Sequence, residues 1–303
     1  PRSTLFPYTT LFRSLFFWGF LVLAIGTTLV FLQADLTDPV FGWKFLTGTF
    51  YKLFSLILDL AGLVAFVMLG GLFYRRYWVR PPGLDSDIDD AIMHGLLFAI
   101  LITGFVIEGA RMAVTELGAD NGLAAWSPVG LFVAGRISGL GEEALRSLHK
   151  STWWVHFFLT LGFFVVLPRT KFRHILTTSA NAVFADRRRK GSIETLNLED
   201  EQAEGYGVSK LRDLTWKDIL DGDACTECKR CQDRCPAWNT EKPLTPMEVI
   251  AHIREVAFDC PDANLIETIG RDSLWACTTC RACQEICPAT IEHVNKIIDM
   301  RRH

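Results

Sequence analysis

Eight of the nine cysteines fall in two runs of one spacing, Cys225-x2-Cys228-x2-Cys231-x3-Cys235-Pro236 and Cys277-x2-Cys280-x2-Cys283-x3-Cys287-Pro288. Three thiolates spaced in this way wrap one face of a [4Fe-4S] cubane, and the cysteine before the proline points away to the other cluster. The expected quartets are therefore crossed. Cys225, Cys228, Cys231 and Cys287 would hold cluster one, and Cys277, Cys280, Cys283 and Cys235 would hold cluster two. A structural zinc site is the bland alternative, but zinc is usually held by two separated pairs. Only Cys260 lies outside the runs, which argues against a disulfide framework, and the clusters themselves imply a reducing compartment. Cys260 is expected to pack as a small hydrophobe. Trp238 and Trp275 flank the runs and are expected to shield the clusters from water. Lys229, Arg230, Arg234 and Arg281 would offset cluster charge or dock an acidic partner.

The segments that must position these thiols carry capping signals. Thr215-Trp216-Lys217-Asp218 opens a short helix into the first run, and Thr245-Pro246-Met247-Glu248 reads as a capping box with proline in the first turn. That second helix should run about three turns, through Val256. The expected cluster domain is 211–303, preceded over 175–210 by a linker that turns from basic (Arg187 to Lys190) to acidic (Glu194 to Glu204).

Upstream the chain changes character. A bilayer core needs about 20 mainly apolar residues per helix, and Leu15–Gln33, Tyr51–Tyr74, Ala91–Val114 and Thr152–Leu167 qualify. A shorter piece, Leu123–Val133, carries Pro128 and reads as interfacial or re-entrant. The membrane domain is expected over 15–174. Arg75, Arg76 and Arg80 in one loop, and Arg169, Lys171 and Arg173 after the last span, place those segments and the cysteine domain on the cytoplasmic side of the inner membrane.

Ionisable groups in spans are costly and usually functional. His94, His149, His156 and His174 lie in or against the bundle, and imidazoles projecting from bundle helices ligate b-type haem. By depth His94 pairs with His174, whereas His156 has no partner at its level and His149 shares its helix. One complete pair is visible, so one or two haems are expected. Asp59 could accept a hydrogen bond from His156 or relay protons to a quinone, and structural hydrogen bonding from helix to helix is an equal reading. Glu108 and Arg111, three apart on one face, are expected to pair.

A net charge of −3 gives no argument for nucleic acid as a partner. Residues 1–14 resemble the translation of a sequencing-library adapter and are set apart from the fold.

Trp153-Trp154-Val155-His156 and Pro168-Arg169-Thr170-Lys171-Phe172-Arg173-His174 resemble the last helix of the cytochrome b subunit of respiratory nitrate reductase, including the spacing of two haem-ligating histidines. Leu220–Pro236 and Leu274–His293 resemble the ferredoxin-like region of heterodisulfide reductase and anaerobic glycerol-3-phosphate dehydrogenase iron–sulfur subunits. The combination is similar to membrane-bound heterodisulfide-reductase-like proteins. The resemblance implies a mainly α fold: a transmembrane helical bundle followed by a small helical ferredoxin-like domain with two [4Fe-4S] clusters. It also implies haem histidines missing from the first span here, and cysteine-rich modules beyond His303, so the chain is expected to be truncated at both ends.

The function expected is electron transfer between the quinone pool, through b haem, and a cytoplasmic redox subunit or those further modules. A self-contained disulfide or quinol oxidoreductase and a zinc-bearing membrane anchor are the alternatives. No nucleophile–base pair, phosphate loop or flavin fingerprint marks a complete substrate site.

Overall fold

The computed structural model describes residues 7–80, 88–118, 122–188, 192–193, 195–196, 198–199 and 206–303. The first six residues of the adapter-like stretch, Arg189 and Lys190 of the basic run and most of the Glu194–Glu204 stretch lie outside them. The described elements are helical, and the chain divides into two compact units, Pro1–Val166 and Leu167–His303.

The first unit contains four helices long and apolar enough to cross a membrane, over Leu11–Phe41, Gly48–Val79, Ile88–Thr115 and Glu142–Arg169. Their regular parts are α1 (Pro7–Phe31), α2 (Gly48–Tyr74), α3 (Ile88–Thr115) and α5 (Glu142–Val166), with the short α4 (Pro128–Ile137) between the last two. Helix α1 packs on α2, and α3 packs on both α4 and α5. The rings of Phe20 and Phe163, 5.7 Å apart, close the bundle between α1 and α5. Few side chains are buried within it. Phe17, Trp18, Ile25 and Phe31 on α1, and Phe158, Phe164 and Val165 on α5, all face outward. That surface suits hydrocarbon, since in lipid a helix gains nothing by hiding apolar side chains and packs through small residues instead. Gly62 and Ala65 on α2 and Gly109 and Ala110 on α3 are such buried contact points.

The second unit begins with α6 (His174–Val183), then α7 (Trp216–Ala224), α8 (Arg230–Asp233), α9 (Pro236–Asn239), α10 (Pro246–Asp259), α11 (Leu265–Ile269), α12 (Arg271–Trp275), α13 (Ala282–Ile286) and α14 (His293–Arg301). Its core gathers Val249, Ile250, Ile253 and Val256 of α10 with Leu265, Leu274, Ile297 and Met300. Each such buried aliphatic stabilises the unit by about 1.5–3 kcal/mol.

The two capping signals behave differently. At Thr215 both reciprocal bonds of a capping box form with Asp218. At Thr245 the hydroxyl caps nothing, because a φ of −114° and ψ of 103° turn it from the helix amides, and Pro246 alone starts α10. Helix α10 also runs past Val256 to Asp259.

Candidate functional site

The two cysteine loops adopt one backbone. Glu227 and Lys229 in the first, and Thr279 and Arg281 in the second, all have left-handed φ values of 52° to 63°. For residues with a Cβ this conformation costs roughly 1–2 kcal/mol each. It folds each loop into a concave turn whose amides point at sulfur. The Thr279 N–H donates to Cys277 Sγ at 3.3 Å, and the Glu227 N–H does the same for Cys225. Short helices α8 and α13 follow the loops and pack against each other.

Two hollows result. One, of about 340 Å³, is lined by Cys225, Cys228, Cys231 and Cys287 together with Met247 and His293. The other, of about 290 Å³, is lined by Cys277, Cys280, Cys283 and Cys235 together with Leu244, Arg281 and Val294. Each cysteine that precedes a proline thus joins the three thiols of the opposite run. Met247 and Val294 form an apolar layer with Cys231 and Cys283 where the hollows back on each other. Among the described residues no group of three or more histidine, cysteine or acidic side chains is placed to hold a single metal ion, and the thiols ring hollows instead.

Burial pushes the Cys225 thiol up to about 11 and the Cys283 thiol up to about 12, with neighbouring thiols adding to the effect, and Cys231 is raised in the same way. Filling a quartet with a cationic cluster must therefore release protons.

Behind the first hollow lies a buried ionic network that sequence reasoning missed. Lys296 is 1% exposed, pairs with Asp221 and lies 2.9 Å from Asp218. Burial opposes the charge on Lys296, but Asp221 and Asp218 outweigh it and raise its pKa. Burial likewise opposes ionisation of both aspartates, and Lys296 overcomes it, so both carboxyls are held below their usual range. Asn181 of α6 joins the network, donating to Asp221 Oδ1 at 2.7 Å and to the Ala289 carbonyl at 2.8 Å. Burial, with Lys296 adding, holds the neighbouring His293 imidazole down at about 4.

Trp238 and Trp275 do not shield the clusters, being 41% and 63% exposed. Leu274 takes the buried place on α12, so the next residue, 100° round the helix, faces out with Arg301 over its ring at 5.1 Å. Cys260 is exposed at the end of α10 rather than packed as a hydrophobe.

In the membrane unit His94 is buried on α3 against Phe73 and Tyr77, its Nδ1 2.6 Å from the Asp90 carbonyl. A carbonyl only accepts, so Nδ1 donates, an arrangement that orients a ring for metal ligation through Nε2. The same holds for His156 on α5. Its Nδ1 is 2.8 Å from Thr103 Oγ1, whose own proton goes to the Ala99 carbonyl at 2.6 Å. Thr103 lies nine residues beyond His94 on α3, about 13 Å along the axis, so the two imidazoles occupy different levels. His149 is half-buried two turns before His156 on the same helix, and His174 opens α6 in the other unit.

Asp59 does not meet His156. Fully buried on α2, it accepts the N–H groups of Val129 at 2.8 Å and Gly130 at 3.0 Å, and so caps the start of α4. Hydrogen bonds of this kind contribute about 0.5–1.5 kcal/mol each. Ser55 and Ser127 bridge α2 to the same helix start at 2.5 Å. Glu108 packs against Gly130, and Arg111 pairs with Glu116 rather than forming the expected ion pair with Glu108.

A 4Fe-4S dicluster domain family matches residues 224–291. The EtfAB:quinone oxidoreductase of Syntrophomonas wolfei is 32% identical over 98% of this chain and 46% of its own length. A protein of Chromohalobacter salexigens named as a probable membrane-anchored ferredoxin is 30% identical over 94% of the chain and 42% of its own length. A subunit of the ferredoxin:CoB-CoM heterodisulfide reductase of Methanosarcina mazei is 31% identical over 27% of the chain and 46% of its own length. The chain thus spans less than half the length of the relatives that match nearly all of it. No solved structure matches significantly. The chain thus contains a 4Fe-4S dicluster domain and four helices long and apolar enough to cross a membrane, and it is similar to EtfAB:quinone oxidoreductase and, over its cluster region, to that heterodisulfide reductase subunit.

Proposed function

We propose that the chain carries electrons between a membrane quinone and a cytoplasmic electron-transfer flavoprotein of the EtfAB type, through a b-type haem site and two [4Fe-4S] sites. The observation that supports this most is the pair of hollows, each ringed by one crossed quartet of cysteines, in a chain with four membrane spans. The flavoprotein and the quinone come from the name of the Syntrophomonas relative. Cys225, Cys228, Cys231 and Cys287 would hold one cluster, and Cys277, Cys280, Cys283 and Cys235 the other. Bound there, the clusters and haem supply one-electron carriers.

The chain's own residues prepare these sites. The amides of Glu227 and Thr279 stabilise thiolate sulfur, and the Met247–Val294 layer keeps water from between the hollows. His94 and His156 present Nε2 from within spans, which suits axial ligation of haem. Among the described residues the Tyr77 hydroxyl beside His94 is buried with no hydrogen-bond partner, an orphaned donor that a bound polar group would satisfy. His174 and His149 remain candidate ligands. Proton exchange with a quinone falls to Glu108 more readily than to Asp59, whose two oxygens are engaged by amides. The basic residues that end the second and fourth spans favour a cytoplasmic cluster unit.

The test is to treat the purified chain in detergent with reduced EtfAB-type flavoprotein, record low-temperature EPR and the haem spectrum, then add a quinone. Two interacting [4Fe-4S] signals and a b-type band that are bleached by quinone are expected. Missing cluster signals overturn the proposal, and a missing b-type band removes its haem part. His94→Ala and His174→Ala should each diminish that band.

A further inference from the structure

Because the loops correspond residue by residue, each hollow is a reference for the other. Trp275 stands two residues before Cys277, where Asp223 stands before Cys225. Trp238 stands three after Cys235, where Thr290 stands after Cys287. Both tryptophans therefore flank ligands of the second hollow, within about 7 and 11 Å of chain reach. They are exposed. At the first hollow the matching residues are half-buried, and α6 lies across them. The Thr177 hydroxyl donates to the Asp223 carbonyl at 3.1 Å, Arg173 approaches Asp223 at 3.7 Å, and Asn181 binds beside Thr290 at Ala289.

Charge divides in the same sense. The segments at the second hollow carry Arg234, Lys242, Arg271, Arg281, Arg301 and Arg302 against Glu241, Asp272, Glu285 and Asp299. Those at the first balance Asp218, Asp221, Asp223, Glu227, Asp233 and Glu292 against Arg173, Lys217, Lys229, Arg230, Arg254 and Lys296, and most of these pair with one another. Tryptophan and arginine are enriched in interface cores and among residues that dominate binding energy. Here both tryptophans flank one hollow, whereas α6 packs over the matching positions at the other.

We propose that the face bearing Trp238 and Trp275 is the docking surface for the flavoprotein electron carrier, whose contacting rim is acidic. This rests on the reading that such a carrier is the partner. Small electron-transfer interfaces are weak, and steering by opposite charge makes them salt-sensitive.

The experiment measures the Kd between the full chain in detergent and oxidised EtfAB-type flavoprotein by calorimetry, at low and at moderate salt. The variants are Trp238→Ala with Trp275→Ala, Arg271→Glu with Lys242→Glu, and as control Trp216→Ala, equally exposed but packed on Phe184. EPR of each variant reports whether both clusters are retained. The tryptophan pair should weaken binding tenfold or more, the charge reversals should weaken it and flatten its salt dependence, and the control should bind as wild type. Should the tryptophan pair lose a cluster signal, the exposed charge reversals decide alone. Unchanged affinity with both signals present overturns the face, as does wild-type self-association that the tryptophan pair abolishes. Failure of the wild type to bind removes the carrier reading and the face with it.

Discussion

Glu227 and Thr279 hold the same place in their loops, with the same left-handed backbone and the same N–H···S bond. Yet one is a carboxylate held by Arg254 at 2.6 Å, and the other is a neutral hydroxyl facing solvent. The contrast runs through both sites. Cysteine spacing fixes the backbone twice over, while the residues around the thiols distinguish the hollows. At the first hollow these are Arg254, Lys296 and Asn181. At the second they are Arg301, whose guanidinium donates to the Leu274 and Cys277 carbonyls, and the open tryptophans. Ligation is thus symmetric and its surroundings are not.

The most drastic way to break that symmetry is to remove a crossed thiol. Cys287→Ser should abolish the cluster held mainly by the first run, and Cys235→Ser the one held mainly by the second. EPR spin counts should fall by at least half in each, and a loss confined to the mutated run's own cluster would refute crossing. Next comes Lys296→Met, which removes one of two lysines from the buried Asp221 and leaves Lys217 at 2.7 Å, and should cost about 1–3 kcal/mol in thermal or denaturant unfolding. It should disturb the first hollow more than the second. The aspartates in this network are depressed, so their contribution is present above the ordinary carboxylate value of about 4 and is lost as pH falls below it. Lys296 is raised, so its contribution is present below about 10.4 and is lost as pH climbs through its folded value. An unfolding profile against pH should show both limits in the wild type, while Lys296→Met should lose the alkaline limit and weaken the acid one, since Lys217 still faces Asp221. The smallest effect separates the loops. Thr279→Gly relieves a left-handed Cβ and should stabilise by about 1 kcal/mol. Glu227→Gly gains the same relief but loses the Arg254 pair, and should be close to neutral.

Much of this was legible in the sequence, for identifiable reasons. The four spans are written in composition, because hydrocarbon demands unbroken apolar length. The crossed quartets are written in spacing, because a three-residue reach decides which thiol faces which hollow. Asp59 was legible as a buried group that could bond one helix to another, but not in its partners, since backbone amides carry no side-chain signal. Asn181 was hidden too. Helix α6 is mostly small and polar, reads as linker, and is fixed by bonds to carbonyl and carboxylate groups many residues away. The exposure of Trp275 depends on which of two adjacent large residues α12 turns inward, and hydrophobicity alone does not choose between Leu274 and Trp275.

Helix α6 also sets where the chain could be cut. A soluble fragment started at residue 211, where the sequence suggests the cluster domain begins, would lack Asn181. The Ala289 carbonyl, two residues past Cys287, would lose its donor, and Asp221 one of its partners. A fragment started at Leu167, where the compact unit begins, keeps that helix. For anyone seeking the iron–sulfur part free of its membrane, the difference between those two starting points is the difference between a closed core and an open seam.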